Sequence, residues 1–129
     1  MAVMEVTGQE GMYFRQIVGS LATGANPTLT FPLATNSSNA VMVGIGLNRA
    51  SPAGTPPSGW TEMCDSGHAT PNAGAIFAYK VQGVNTTTVV YSAATGNYGI
   101  IGLEVWQAGA VPMEENGCCG QLGLVGVGL

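Results

Sequence analysis

Short apolar segments alternate with runs of glycine, proline, serine, threonine and asparagine along most of the chain. Within these segments apolar residues recur at every second position, which is the spacing that lines one face of a β-strand. No long window shows helical spacing without an intervening glycine or proline. The pattern predicts seven strands, at residues 12–18, 28–33, 40–48, 60–64, 74–82, 86–92 and 98–106.

Strands at this spacing predict an all-β fold, a single β-sandwich of the jelly-roll or immunoglobulin-like kind with about seven to eight strands. We expect residues 12–112 to form the sandwich, residues 1–11 an extended N-terminal arm, and residues 113–129 a Gly-rich apolar tail. Turn-forming residues predict two long loops, at 48–59 and 64–74, and a tight hairpin at 82–85.

Two of the predicted strands have distinct faces. One central strand places four aliphatic side chains on the same face: Val41, Val43, Ile45 and Leu47. The last strand places Glu104 on the face of Tyr98 and Trp106, opposite Ile101, Leu103 and Val105. A carboxylate there predicts either a pocket residue with a raised pKa or an ion pair with Lys80 or Arg49.

Charge is scarce in this chain. Charged residues make up 8% of its 129 residues, where a typical soluble domain has about 25%. With three basic residues and a net charge of -4, binding to a nucleic-acid backbone is excluded. The apolar runs are shorter than the roughly 20 residues of a membrane helix, and the start is unlike a signal peptide. An uncharged polar surface suits a protein that is covered by neighbours.

Candidate chemistry is confined to a few side chains. Cys64, Asp65 and His68 lie close together in the chain, and Cys118 and Cys119 are adjacent. Three cysteines do not make a regular disulfide framework, and neighbouring cysteines rarely converge on one zinc ion. No nucleophile elbow and no phosphate-binding loop is present. We therefore expect no catalytic residue, no metal and no cofactor.

Aromatic residues suggest an alternative role in binding. Trp60, Trp106 and Tyr98 are candidates for stacking on a glycan. Trp60 also follows a Pro-Pro-Ser-Gly turn, where a large ring commonly closes the end of a core. Both interpretations of Trp60 stay open at this point.

Both ends of the chain carry apolar residues outside the predicted sandwich. The last ten residues alternate glycine with aliphatic residues and contain no charge. Such a segment is expected either to be disordered or to pair with the edge of a neighbouring sheet. The candidate interface residues are Leu122, Leu124, Val125, Val127 and Leu129, together with Met1 and Val3.

Residues 40–106 resemble a known group of β-sandwich domains. The resemblance is carried by the strand Ala-Val-Met-Val-Gly-Ile-Gly-Leu-Asn48, the turn Pro57-Ser-Gly-Trp-Thr61, and the strands ending at Val81 and Trp106. This order is similar to that of virion proteins of tailed bacteriophages and prophages, including head decoration (cement) proteins and tail or fibre components.

The resemblance implies a non-enzymatic structural protein of the virion. It implies a location on the capsid surface after synthesis in the host cytoplasm, with the major capsid protein and other copies of the chain as partners, in a homo-oligomer without nucleic acid or membrane. Small size and the lack of fibre repeats favour a decoration protein. The alternative is a carbohydrate- or receptor-binding module of a phage tail or fibre.

Overall fold

A computed structural model describes residues 14–49 and 54–106. These residues form seven strands and no helix, so the all-β prediction is confirmed. No helix in the described ranges is long and apolar enough to cross a membrane. The strands are β1 (Phe14–Gly24), β2 (Thr28–Thr30), β3 (Ala40–Leu47), β4 (Thr61–Ala69), β5 (Asn72–Lys80), β6 (Thr88–Val90) and β7 (Gly96–Val105).

The strands form two antiparallel sheets that make a β-sandwich of unequal layers. The larger sheet has the order β1-β7-β3-β5-β4, and the smaller sheet pairs β2 with β6. A bridge between Thr55 and Ser92 lies next to the end of β6. All seven predicted strands are present, although the ends of several differ from the prediction.

The core lies between the smaller sheet and the inner face of the larger one. The aliphatic face predicted for β3 is buried, which confirms that assignment. Tyr91 is fully buried, and its hydroxyl donates a hydrogen bond to the carbonyl oxygen of Val43 at 3.3 Å. Burial, followed by the negative charge of Glu62, raises the pKa of Tyr91 well above its ordinary value. The core residues are Leu29, Phe31, Val41, Val43, Ile45, Leu47, Ile76, Ala78, Val84, Val89, Tyr91 and Ile100.

The predicted loop at 64–74 is wrong, because most of these residues belong to strands. β4 continues to Ala69 and pairs with β5 across a turn at Thr70 and Pro71. Asp65, Ser66 and the residues beside them have low β-propensity, so they resemble a loop in sequence. Pairing with β5 supplies the backbone hydrogen bonds that overrule this local preference.

The predicted hairpin at 82–85 is also wrong. β5 belongs to the larger sheet and β6 to the smaller one, so this segment crosses between the layers. The backbone N–H of Gly83 donates to the carbonyl oxygen of Ser37 at 2.7 Å. Val84 and Val89 are buried, and their burial draws the chain across the core instead of back along β5.

Gly102 tests how tightly the two layers pack. A Cβ at this position would overlap the Cδ2 of Leu29 and lie 3.0 Å from the Cζ of Phe31. Both of these side chains are fully buried and have no room to move aside. We expect Gly102→Val to lower the free energy of unfolding by about 2–3 kcal/mol, measured by urea denaturation.

Gly46→Val is the matched control on the same sheet. A Cβ at Gly46 meets no atom within 4 Å. Its free energy of unfolding should stay within about 0.5 kcal/mol of the original chain. Equal losses in the two variants would contradict the packing of β7 against the smaller sheet.

Candidate functional site

Glu104 is a fully buried carboxylate at one end of the core. It lies on the inner face of β7 and receives hydrogen bonds from two neighbouring parts of the chain. The backbone N–H of Asn36 and the side-chain amide of Asn39 donate to Oε1, at 2.7 and 2.8 Å. Nη1 of Arg15 and Nε2 of Gln16 donate to Oε2, at 2.8 and 2.6 Å. Both carboxylate oxygens therefore have partners.

This environment changes the pKa of Glu104 in a direction opposite to the first expectation. Burial by itself would raise the pKa, but the hydrogen bonds to the carboxylate together outweigh burial and lower it. The expected ion pair with Lys80 or Arg49 is wrong, because the partner is Arg15 on β1. Arg15 is 89 residues away in the chain, so no local pattern indicates this pair. Glu104 therefore connects β7 to β1 and to the chain between β2 and β3 on the core-facing side of the sheet.

Arg15 and Gln16 extend the same network toward the chain between β2 and β3. Nη1 of Arg15 also donates to the carbonyl oxygen of Ala34 at 2.7 Å, and its guanidinium lies 5.9 Å from the centroid of the Trp106 ring. The side-chain amide of Gln16 donates to and accepts from the backbone of Leu33. The network therefore joins β1 to this connection.

The opposite face of the larger sheet, which we call the outer face, is apolar. Strand register aligns the central residues of this face in three rows across the sheet. Leu21, Ile17 and Ile101 are 88%, 56% and 49% exposed. No residue of the three rows carries a charge. The rows are Ile17, Leu103, Met42, Tyr79 and Thr61; Gly19, Ile101, Gly44, Phe77 and Cys64; and Leu21, Gly99, Gly46, Ala75 and Ser66.

A shallow groove of about 440 Å³ crosses this face. Its lining includes Gly44, Gly46 and Gly99, and the side chains of Leu21 and Ile101 lie beside them. The groove exists because three neighbouring positions of the sheet have no side chain. The sequence prediction ended the first strand at residue 18 and so missed Leu21. The alternation of Ile17, Gly19 and Leu21 is the signal that could have extended it.

A second groove of about 440 Å³ lies near the start of β4 and contains Trp60. Trp60 is half-buried and packs against the core cluster, and it also lines the groove. The rest of the lining includes Pro57, Lys80 and Asn85, together with one glycine, two threonines and three valines. Trp60 is therefore placed for both of the roles that the sequence left open.

The other two aromatic candidates do not share this groove. Tyr98 and Trp106 lie eight residues apart along and just beyond β7, which corresponds to roughly 27 Å in an extended strand. Neither lines the Trp60 groove. Tyr98 packs against the core cluster, and Trp106 lies by Arg15.

The remaining sequence candidates are dispersed. Cys64 is a half-buried free thiol in the middle row of the outer face. Asp65 and the exposed His68 are three residues apart on one strand, so their side chains point to opposite faces. Among the described residues no three His, Cys, Asp or Glu side chains gather in a way that could hold a metal ion.

The two remaining cysteines and the predicted interface residues lie outside the described ranges. These residues are Cys118, Cys119, Leu122, Leu124, Val125, Val127, Leu129, Met1 and Val3.

Replacing Glu104 by glutamine should destabilise the fold in a pH-dependent way. Glutamine removes the charge and points an amide at donors, so we expect a loss of about 3 kcal/mol at pH 7. Because folding lowers this pKa, the stabilisation is complete above the ordinary glutamate value of about 4.3. It disappears as the pH falls through the lower pKa of the folded state. Urea denaturation between pH 7 and pH 3 should show the gap between the two chains narrowing.

Glu62→Gln is the control, because Glu62 is an exposed carboxylate on β4. Its free energy of unfolding at pH 7 should stay within about 0.5 kcal/mol of the original chain. A Glu104→Gln chain as stable as this control would show that the network contributes nothing.

Comparisons with known proteins identify no family for this chain. The chain matches no protein-family model, and searches of curated proteins and of solved structures give no significant similarity.

Proposed function

We propose that this protein is a non-enzymatic structural subunit that works within a larger assembly. The most specific form of the proposal is a capsid decoration (cement) protein of a tailed bacteriophage, which binds the outer capsid lattice and stabilises it. Its partners would be the major capsid protein and other copies of the chain. The observation that carries the proposal is the uncharged apolar outer face of the five-stranded sheet.

An exposed apolar face needs a physical reason in a protein that works in water. Scattered apolar side chains are ordinary, but a contiguous apolar patch marks a surface that another molecule covers. Here Leu21, Ile17 and Ile101 are neighbours in adjacent rows of two paired strands. With 8% charged residues, the chain has little electrostatic repulsion to keep copies apart. The apolar patch and the low charge both favour a protein that works within an assembly.

The phage context comes from the resemblance of residues 40–106 to virion β-sandwich domains. A small sandwich present in many copies can reinforce a lattice through modest contacts, because multivalency strengthens weak binding. An assembly role also fits Glu104, the one fully buried carboxylate in the described ranges, because hydrogen bonds occupy both of its oxygens.

The particle role predicts where the protein is found. In virions purified from cells that produce it, the chain should co-sediment with the capsid through a sucrose gradient. Chain released from the particles should bind again and raise the temperature at which the capsids open. Recovery of the chain only in the soluble fraction would contradict the capsid role.

The C-terminal residues offer a variant for the same assay. Removing residues 120–129 should leave thermal melting of the isolated protein nearly unchanged and sharply reduce its binding to capsids, if this segment contacts a neighbour. Full binding by the truncated chain would remove the segment from the interface.

A carbohydrate-binding module is the second candidate, and the Trp60 groove favours it. An aromatic ring beside Lys80 and Asn85 offers a stacking surface and hydrogen-bonding groups for a sugar. Because Trp60 is half-buried against the core, we expect Trp60→Ala to cost about 2 kcal/mol, less than a fully buried tryptophan. Stability alone therefore does not test a role in sugar binding.

Lys80→Met and Asn85→Ala separate the two roles of the groove. If the groove binds a glycan, both variants should keep the melting temperature and lose signal on a glycan array, as measured against the original chain. Absence of any glycan signal from the original chain would remove this candidate and leave Trp60 as a residue that closes the core.

A further inference from the structure

We propose that two copies of the chain associate through their outer faces, with Leu21 of each copy entering the glycine-lined groove of the other. This inference deepens the proposed assembly role and rests on it in using the same face. It adds the identity of one partner, a second copy of the chain. It also adds the side chain that enters the groove and the groove that receives it.

The first argument is shape. Leu21 is 88% exposed, the largest exposed fraction among the exposed large apolar residues of the described structure. The groove beside it has a volume of about 440 Å³ and contains Gly44, Gly46 and Gly99. Projection and recess therefore lie next to each other on one face. A two-fold axis between them would place each projection in the opposite recess, as a self-complementary interface requires.

The second argument is charge. In a two-fold interface a charged group near the axis lies close to the same group on the other copy. A charged face would therefore bring like charges together. The three rows of the outer face contain no Asp, Glu, Lys or Arg. The nearest charged neighbours in β4, Glu62 and Asp65, pair with Ala78 and Ile76 in rows of the inner face. The outer face can therefore meet its own copy without repulsion.

The third argument is size. Five strands about 4.8 Å apart make the face roughly 20 Å wide. Three rows of side chains extend a similar distance along the strands, so each copy contributes roughly 400–500 Å² in projection. That lies at the small end for a specific interface. We therefore expect a reversible dimer with a Kd in the micromolar range.

Sedimentation equilibrium of the full 129-residue chain tests the proposal directly. The original chain should approach twice its 13.1 kDa mass as its concentration rises toward about 0.1 mM. Ile101→Lys places a charge in the centre of the face on an interior strand, and it should raise the dimer Kd at least about tenfold. Val90→Lys is the control, because Val90 is 45% exposed and lies on β6 of the smaller sheet. The two variants have the same net charge.

Gly46→Val distinguishes insertion of Leu21 into the groove from non-specific association of apolar surfaces. A side chain there has open space, so the monomer should keep its stability while the groove is filled. Filling the groove should weaken the dimer at least about tenfold, although the variant is more apolar than the original chain. An unchanged or tighter dimer would overturn the insertion of Leu21.

Three other results would overturn the proposal. A chain that stays monomeric at about 0.1 mM has no such interface, whatever covers its face. A dimer that survives Ile101→Lys is joined elsewhere, for example along β1 or β4, the terminal strands of the larger sheet in the described ranges. A dimer that Val90→Lys disrupts equally does not depend on the outer face. Capsid binding is measured separately, so a chain can dimerise and still fail as a decoration protein.

Discussion

The carboxylate of Glu104 joins β7 to β1 and to the connection between β2 and β3. A buried charge is tolerated only when its hydrogen bonds are complete, and here Arg15, Gln16, Asn36 and Asn39 complete them. Displacement of β1 would remove Arg15 and Gln16 from Oε2 and leave this buried charge only partly paired, at a cost of several kcal/mol. The network therefore holds the edge strand in register with β7. The outer face depends on that register, because β1 supplies its most exposed side chain.

The two faces of the larger sheet differ because the second layer is small. Two strands, with the segments next to them, cover the inner face and bury its aliphatic residues. The outer face carries the same kinds of apolar side chain, yet several of them are about half exposed or more. This imbalance is the observation on which the proposed assembly role rests. It also explains why one sheet can hold a closed core and still offer an apolar surface.

Glycine has opposite effects on the two faces. On the inner face Gly102 allows Leu29 and Phe31 to approach the sheet closely, so the two layers are in direct contact at this point. On the outer face Gly44 and Gly46 leave a recess that the other described residues do not fill completely. The same absence of a Cβ thus tightens the fold on one side and creates a groove on the other. The difference is that Leu29 and Phe31 pack against Gly102, whereas no atom lies within 4 Å of a Cβ at Gly46.

The sequence by itself determined the all-β class, the number of strands and the buried face of β3, because a period of two is a local property of the chain. It could not determine the hairpin of β4 and β5, since Asp65 and its neighbours favour a loop until a partner strand satisfies their backbone. Nor could it indicate that Arg15 pairs with Glu104, or that Leu21 lies beside the glycine groove. These features depend on register between strands far apart in the chain, and only the tertiary structure decided them.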